Sequence, residues 1–337
     1  MGAVSTSRGF DSRLRSCITI GIAFILVFGG SVTRSSDADS EASLCDTWFD
    51  LEVVDRERGR TLPIRIYLPE SKTESGLILF SHGLGGSRRS FSYLAEAWAA
   101  QGFCTVFIQH PGSDEDILAG VAEERVAEVM REAAGRRNFT LRIADIPAVL
   151  DQLEEWTNDS EHRLHGRIGT ERVGIAGHSF GAMTAQALGG QRFGFGIGRA
   201  HFADDRVAAA LMLSPSPPIS GTSRLAFGRV DTPWMLITGT EDYSKIAGVE
   251  AEQRRDVFRH LPAGGKYELV LMSAEHHSYD IDENCVSCDN ERYRAVIAAV
   301  SSKFWKAWLG GDKSARDWLE GDGPTSLTER GDIWLVK

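Results

Sequence analysis

The sequence lacks three features, and each absence excludes a class of protein. It has no excess of basic residues, since 37 Lys and Arg stand against 47 Asp and Glu and the net charge is −10. Because phosphate binding needs clusters of Lys and Arg, this balance argues against a nucleic-acid partner. The chain also has no apolar run of about 20 residues, the length that spans a bilayer. No internal repeat or long low-complexity tract is visible, so a repeat architecture is excluded.

The N-terminus differs in composition from the rest of the chain. A short apolar run extends from about Ile18 to Phe28, with three arginines between positions 8 and 15 before it and two glycines after it. This is the order of a secretory signal peptide. We expect residues 1–38 to be signal peptide and spacer, and the mature protein to be secreted or periplasmic. Retention of this segment as an uncleaved membrane anchor is the alternative.

Cysteine is scarce, with five in 337 residues. Cys285 and Cys288 have the spacing of half a metal site, but no second cysteine pair and no His-x-x-x-His motif accompanies them. We therefore predict a small disulfide loop, which an exported chain can keep. Cys104 lies in the apolar run 103–108 and is predicted to be a buried thiol, while its pairing with Cys45 stays open. We predict neither a metal nor a cofactor.

The apolar pattern predicts the fold class. Residues 48–56 and 62–68 alternate apolar and polar side chains around a glycine turn, which is typical of an antiparallel hairpin. From residue 77 onward, continuous apolar runs alternate with helical stretches, as in parallel strands that are covered on both faces. We predict an α/β fold with a mostly parallel central sheet, flanking helices and an antiparallel N-terminal hairpin, in one domain over residues 45–320.

One segment interrupts the simple alternation of strands and helices. Residues 114–135 carry apolar side chains at helical spacing with Glu and Arg between them. The segment follows a predicted strand, at the sheet edge where α/β proteins bind ligands. Two interpretations stay open: a surface helix packed on the body of the domain, or a lid over a substrate site.

Residues 177–181 read Gly-His-Ser-Phe-Gly, between an apolar strand and a run of helix formers. A strand, a sharp turn and a helix in this order raise a serine hydroxyl above a parallel sheet. The flanking glycines are expected because such a turn has no room for a Cβ atom. The pattern predicts a nucleophilic Ser179.

A serine nucleophile needs a base and an acid that orients the base, and both should follow later strands. Asp242 follows the apolar run 234–238 and is the predicted acid, with Glu241 as the alternative. His276 and His277 follow the apolar run 267–272. Spacing from the strand end favours His276 as the base, and His277 then lines the pocket or contacts the leaving group.

The negative charge that develops on the substrate oxygen needs fixed N–H donors. The elbow itself presents the amide of Phe180. The glycine-rich loop Ser81-His82-Gly83-Leu84-Gly85-Gly86 follows an earlier strand, and the Leu84 amide is the second predicted donor. His82, within this loop, is a candidate for substrate contact. His110 ends a predicted strand near the cleft, and it either faces the substrate or makes a hydrogen bond to a loop. Arg142 and Asp145 lie three apart on a predicted helix and are expected to pair with each other.

With these motifs the chain resembles the α/β-hydrolases over about residues 50–310. Within that superfamily it is similar to the predicted dienelactone hydrolases, near the platelet-activating-factor acetylhydrolases. The segments that carry the resemblance are 81–86, 109–113, 142–146, 177–181 and 274–276. Dienelactone hydrolases use a cysteine nucleophile, whereas this chain has Ser179, so the resemblance implies a serine esterase or lipase-type hydrolase.

The expected function is therefore a serine carboxylic-ester hydrolase (a carboxylesterase-like enzyme) that acts through an acyl-enzyme. Its partner would be a small-molecule or lipid ester, with possible transient contact at a membrane surface and a role in lipid degradation. A lipase or phospholipase, a polyester depolymerase and a peptidase are the alternatives among hydrolases. A non-catalytic binding module that inherited the fold is the alternative outside them. The sequence leaves the oligomeric state open.

Overall fold

A computed structural model describes residues 48–71, 74–195, 198–280 and 291–337. The expected signal peptide and spacer (residues 1–38) and the expected disulfide between Cys285 and Cys288 lie outside the described residues. Cys104 is described, and it is a free, buried thiol as predicted.

The chain begins with an antiparallel hairpin of strands β1 (Trp48–Asp55) and β2 (Arg60–Tyr67). The next elements alternate between sheet and helix. In order, they are β3 (Ser75–Ser81), α1 (Ser92–Ala99), β4 (Cys104–Ile108), a 3₁₀ turn (Glu115–Leu118), α2 (Glu123–Ala133), α3 (Arg136–Asn158), β5 (Ile168–His178) and α4 (Phe180–Leu188).

The second half of the chain continues the alternation and adds a small ribbon. Its elements are β6 (Arg192–Phe195), β7 (Gly198–His201), β8 (Val207–Leu213), α5 (Ser223–Phe227), β9 (Trp234–Glu241), α6 (Ala251–His260), β10 (Lys266–Glu275), α7 (Glu291–Trp308), α8 (Lys313–Glu320), a 3₁₀ turn (Pro324–Ser326) and β11 (Ile333–Val336). β6 and β7 pair only with each other.

The central sheet of the described residues has nine strands in the order β1-β2-β4-β3-β5-β8-β9-β10-β11. The six strands from β4 to β10 in this order are parallel, and the pairs at both edges are antiparallel. The predicted fold class is confirmed, including the opening hairpin. The sequence pattern did not predict β11, which lies after residue 320 and pairs with β10.

Alternate side chains of the central strands enter two separate cores. In β3, Leu77 and Leu79 belong to the core under α3, α4, α5 and α6, whereas Ile78 and Phe80 belong to the core under α1, α7 and α8. All four side chains are fully buried. Because side chains alternate across a strand, a continuous apolar run is what a sheet covered on both faces requires. This packing holds the carboxyl ends of β3, β5, β9 and β10 at one edge.

Candidate active site

Ser179 lies in the sharp turn between β5 and α4, with a positive φ of 54° and a ψ of −111°. A non-glycine residue rarely adopts a positive φ, and such strain is typical of functional sites. The turn is also very tight, since a Cβ on Gly181 would lie 1.9 Å from the backbone oxygen of Ser81, and one on Gly177 would lie 2.3 Å from the oxygen of Gly181. The turn therefore requires both glycines and leaves the serine side chain partly exposed.

Three side chains form a continuous hydrogen-bonded chain at this edge. Ser179 Oγ lies 2.9 Å from His276 Nε2, and His276 Nδ1 lies 2.6 Å from Asp242 Oδ1. Because Nδ1–H donates to the carboxylate, Nε2 is the nitrogen that can accept the serine proton. The structure thus brings His276 rather than His277 to the serine, and the His277 ring lies exposed beside it, 5.1 Å away. Glu241 is exposed at the end of β9.

Asp242 is fully buried, and its second oxygen is surrounded by hydroxyl donors. Ser214 and Thr238 donate to Oδ2 at 2.7 and 2.8 Å, and Tyr279 donates to it at 3.3 Å. With His276 on Oδ1, both carboxylate oxygens are occupied. These hydrogen bonds fix the direction in which Asp242 holds the imidazole. Sequence reasoning missed the hydroxyls, although Ser214 directly follows β8 at the same sheet edge.

A buried arginine completes this end of the site. Arg254, from α6, lies with Nε 2.9 Å from Asp242 Oδ1, and its Nη1 donates to the carbonyls of Ser214 and Pro215 at 3.0 Å. Its Nη2 lies 3.2 Å from His276 Nδ1. Burial raises the pKa of Asp242, but the hydrogen bond to His276 and the charge of Arg254 outweigh it and hold that pKa well below its usual range. Asp242 is therefore ionised at neutral pH.

The two predicted oxyanion donors belong to two segments that pack closely, since a Cβ on Gly181 would lie 2.7 Å from the backbone oxygen of His82. Phe180 is the first residue of α4, and Leu84 lies in the loop that follows β3. Within the described ranges, neither backbone amide donates a hydrogen bond to a protein acceptor. The helix N-terminus adds a partial positive charge at Phe180. Two unengaged N–H groups near a hydrogen-bonded serine are what stabilisation of an oxyanion needs.

The structure buries His82 and His110. His82 is buried, its Nδ1 donates to the carbonyl of Gly83 at 2.6 Å, and its Nε2 accepts from the backbone amide of His110 at 3.1 Å. His110 is also fully buried, with both ring nitrogens hydrogen-bonded to Ser81 and Asp145. The expectation that these two histidines contact substrate is corrected on this geometry, because neither ring has a free nitrogen or a path to solvent.

His178, the second residue of the elbow motif, links the elbow to the base. Its Nε2 donates to the backbone carbonyl of His276 at 3.0 Å, and the two rings lie 5.0 Å apart. Burial and the neighbouring His276 hold the pKa of His178 well below its usual value. The ring is therefore neutral, and its role in the described contacts is to anchor the segment that carries the base.

The expected pair of Arg142 and Asp145 is not formed. The Asp145 carboxylate receives Arg58 Nη1 at 2.7 Å, Arg60 Nη2 at 3.0 Å and His110 Nδ1 at 2.9 Å. Arg142 turns instead toward the loop that follows β3. The two residues share a helix face, but long-range partners from the hairpin and from β4 compete better for Asp145 than its helical neighbour does.

Helix α2 lies beside the loop that carries Leu84. A methyl group built on Gly85 would lie 3.5 Å from both Sδ and Cε of Met130. Val126, Val129 and Met130 are half-buried, and most of the remaining side chains of α2 are exposed. The residues before the helix are held firmly, since the amide of Glu115 donates to the carbonyl of Gly86 at 2.9 Å. The amphipathic segment is thus both packed on the domain and adjacent to the candidate site.

No group of three or more His, Cys, Asp and Glu side chains in the described part of the chain has the arrangement of a metal site. Over the same residues, no helix is long and apolar enough to cross a bilayer.

Comparison with known proteins identifies the family of the chain. A family model described as "Alpha/beta hydrolase family" matches residues 78–331, which is most of the chain and includes every residue of the hydrogen-bonded chain described above. A search among curated proteins finds no match.

Proposed function

The chain belongs to the alpha/beta hydrolase family, and we propose that it is a serine hydrolase that cleaves carboxylic esters through an acyl-enzyme on Ser179. The observation that carries the proposal is the hydrogen-bonded chain from Ser179 through His276 to the buried, ionised Asp242. It lies at the carboxyl edge of a parallel sheet, where α/β proteins place their ligand sites. The two unengaged amides of Leu84 and Phe180 support the same conclusion.

The proposed reaction follows from these positions. Ser179 Oγ attacks the ester carbonyl carbon while its proton moves to His276 Nε2, and Asp242 stabilises the imidazolium that forms. The carbonyl oxygen becomes an oxyanion, which accepts hydrogen bonds from the Leu84 and Phe180 amides. The C–O bond to the alcohol breaks, and His276 returns the proton to the departing oxygen. Water, deprotonated by His276, then releases the acid and restores Ser179.

The proposed substrate is a small-molecule or lipid ester. The half-buried apolar side of α2 beside the loop that carries Leu84 supports a lid or acyl-binding role for residues 114–135. We also propose that the mature enzyme is secreted or periplasmic, on the charged and apolar order of the N-terminal residues.

The direct test is hydrolysis of p-nitrophenyl esters of graded acyl length by the wild type and by Ser179→Ala. We expect the wild type to be active and Ser179→Ala to lose at least about 10⁴-fold in kcat, as for serine nucleophiles generally. Ser160→Ala is the matched control, because Ser160 is exposed beyond the opposite end of β5. Equal rates in the wild type and Ser179→Ala would exclude the proposal.

A further inference from the structure

A second hydrogen-bonded Ser–His–Asp chain lies behind the candidate site. Ser81 Oγ lies 2.9 Å from His110 Nε2, and His110 Nδ1 lies 2.9 Å from Asp145 Oδ2. All three side chains are fully buried. Since no substrate can reach the Ser81 hydroxyl, this chain does not act as a nucleophile. Its serine, Ser81, directly precedes His82 at the start of the loop that carries Leu84.

Arg142 joins this buried chain to the loop. The residue is 1% exposed, and its guanidinium donates to the carbonyls of His82 at 2.5 Å, Gly83 at 3.3 Å and Ser113 at 3.1 Å. It also donates to the hydroxyls of Ser113 at 2.8 Å and Ser81 at 3.4 Å. Burial of a cation is costly unless acceptors receive its hydrogen bonds. Three backbone carbonyls and two hydroxyls accept hydrogen bonds from Arg142.

We propose that Arg142 is a positioning residue for the oxyanion hole, which acts on the Leu84 amide through the carbonyl of Gly83. The inference rests on the function proposed above for Ser179. The carbonyl of Gly83 and the N–H of Leu84 belong to one planar trans peptide unit, so they point in opposite directions. Donors that hold the carbonyl toward the buried Arg142 therefore aim the N–H away from it, as the proposed oxyanion hole requires.

Three donors converge on the Gly83 carbonyl. They are Arg142 Nη2 at 3.3 Å, the Nδ1–H of His82 at 2.6 Å and the backbone amide of Gly86 at 3.1 Å. Hydrogen bonds to a carbonyl polarise its peptide unit and make the N–H a stronger donor. The cation thus both orients and strengthens the Leu84 donor.

The same guanidinium contacts the segment of the second oxyanion donor. Arg142 Cζ lies 4.6 Å from the ring centroid of Phe180, within the range of a cation–π contact. One side chain therefore touches both segments that present the candidate oxyanion amides. Through these two contacts Arg142 helps to set the spacing between the segments of Leu84 and Phe180 in the proposed oxyanion hole.

The buried Ser–His–Asp chain keeps Arg142 in place and charged. Ser81 donates its proton to His110, so its lone pairs face Arg142. Burial lowers the pKa of Arg142 to about 9, while the charges of Asp145 and Asp114 act in the opposite direction. The guanidinium is therefore protonated at neutral pH.

The test compares Arg142→Met and Arg142→Lys with Arg137→Met, a matched control on the exposed side of the same helix. We expect Arg142→Met to lower kcat for p-nitrophenyl butyrate about 10²–10³-fold, the contribution of one oxyanion donor, with little change in KM. Arg142→Lys keeps the charge but loses the planar guanidinium, so its kcat should lie between that of the wild type and that of Arg142→Met. Arg137→Met should match the wild type.

Amide hydrogen exchange supplies a readout that does not depend on activity. Exchange at residues 82–86 should accelerate in both Arg142 variants, while protection of the central strands stays at the wild-type level. Wild-type kcat and wild-type exchange in Arg142→Lys would overturn the inference, and this variant also decides the matter if Arg142→Met does not fold. A wild type no more active than Ser179→Ala would refute the proposed function instead, and loop exchange would then decide the positioning role alone.

Discussion

Arg254 Nε lies 2.9 Å from Asp242 Oδ1, and both side chains are buried at the carboxyl edge of the sheet. The same carboxylate oxygen accepts a hydrogen bond from His276 Nδ1. The candidate acid therefore serves two partners at once, a permanent cation and the base. The cation keeps Asp242 ionised, and the ionised Asp242 keeps the proton of His276 on Nδ1.

Arg254→Met should leave the Asp242 carboxylate buried without its cation. Removal of one partner from a buried ion pair costs about 3–5 kcal/mol, so we expect the free energy of unfolding at pH 7 to fall by that order. Urea denaturation measures this change. Arg259→Met on the same helix removes only a surface pair with Glu252 and should cost less than about 1 kcal/mol. Equal losses in the two variants would contradict a structural role for the buried pair.

His276→Ala and His277→Ala should differ sharply in ester hydrolysis. Only His276 contacts Ser179 and Asp242, so its loss should lower kcat by about 10⁴-fold or more. His277 is exposed beside the base, and its replacement should lower kcat by less than about tenfold. Steady-state kinetics on one p-nitrophenyl ester decides between them. The assignment of His276 as base fails if His277→Ala has the larger effect.

Gly181→Ala should disrupt the elbow without changing any polar group. A Cβ there would lie 1.9 Å from the backbone oxygen of Ser81, which cannot move aside as a flexible side chain can. We expect a loss of roughly 1–3 kcal/mol in stability, the range for overpacking, together with loss of activity. Gly194→Ala is the control, since its nearest neighbour would be Ser220 Oγ at 3.9 Å. Thermal melts and kinetics on both variants test the difference.

The protein should lose stability as the pH falls from about 6.5 to 4. Burial and the charge of Arg142 lower the pKa of His110 from 6.5 to about 4, and His82 and His178 shift in the same direction. Between these pH values the unfolded chain binds a proton that the folded His110 refuses. The contribution of His110 to the free energy of unfolding is thus fully present above pH 6.5. It amounts to roughly 3 kcal/mol, which is lost as the pH falls from 6.5 to 4.

His110→Gln tests that dependence, because glutamine does not titrate. The variant should be less stable than the wild type at pH 7, and the gap should narrow as the pH is lowered to 4. His165→Gln is the control, since His165 is exposed. Unfolding free energies measured in urea at half-unit steps give the curves, and parallel curves for His110→Gln and the wild type would refute the explanation.

Met130→Ala should alter the preference for acyl length rather than activity in general. Met130 lies beside Gly85 on the loop that carries Leu84, so its truncation would widen the space next to the acyl group. We expect the ratio of kcat/KM between long and short p-nitrophenyl esters to change on the order of tenfold, the scale of one or two methylene contacts. Glu128→Ala, an exposed position on the same helix, is the control. An unchanged ratio would argue against a lid role for α2.

The elements that depend on local pattern were predictable. The elbow at 177–181, the acid after β9 and the base after β10 each follow an apolar run, and parallel strands bring their carboxyl ends to one edge. The order of these motifs was therefore enough to name Ser179, Asp242 and His276, which the structure brings together.

The buried polar contacts were not predictable, because each depends on a partner distant in sequence. Arg254 lies among other charged residues in α6, and nothing local distinguishes the one that turns inward. Arg142 lies one helical turn from Asp145, yet Asp145 accepts hydrogen bonds from Arg58 and Arg60, which are more than 80 residues away in sequence. The edge strand β11 is short, and its place is set by pairing with β10 rather than by its own pattern.

Ser81 is the last residue of β3, and Ser179 directly follows the adjacent parallel strand β5, in which Gly177 is in register with Ser81. Among the described residues, a geometric template for a serine, a histidine and an aspartate in hydrogen-bond contact would match both Ser81-His110-Asp145 and Ser179-His276-Asp242. An active-site reagent such as a fluorophosphonate should nevertheless label Ser179 and not Ser81. The elbow leaves the Ser179 side chain partly exposed, whereas the Ser81 side chain is fully buried at the end of β3. The reactivity of a serine in this fold is thus a property of access and backbone shape, and the same three side chains serve elsewhere in the chain as scaffold.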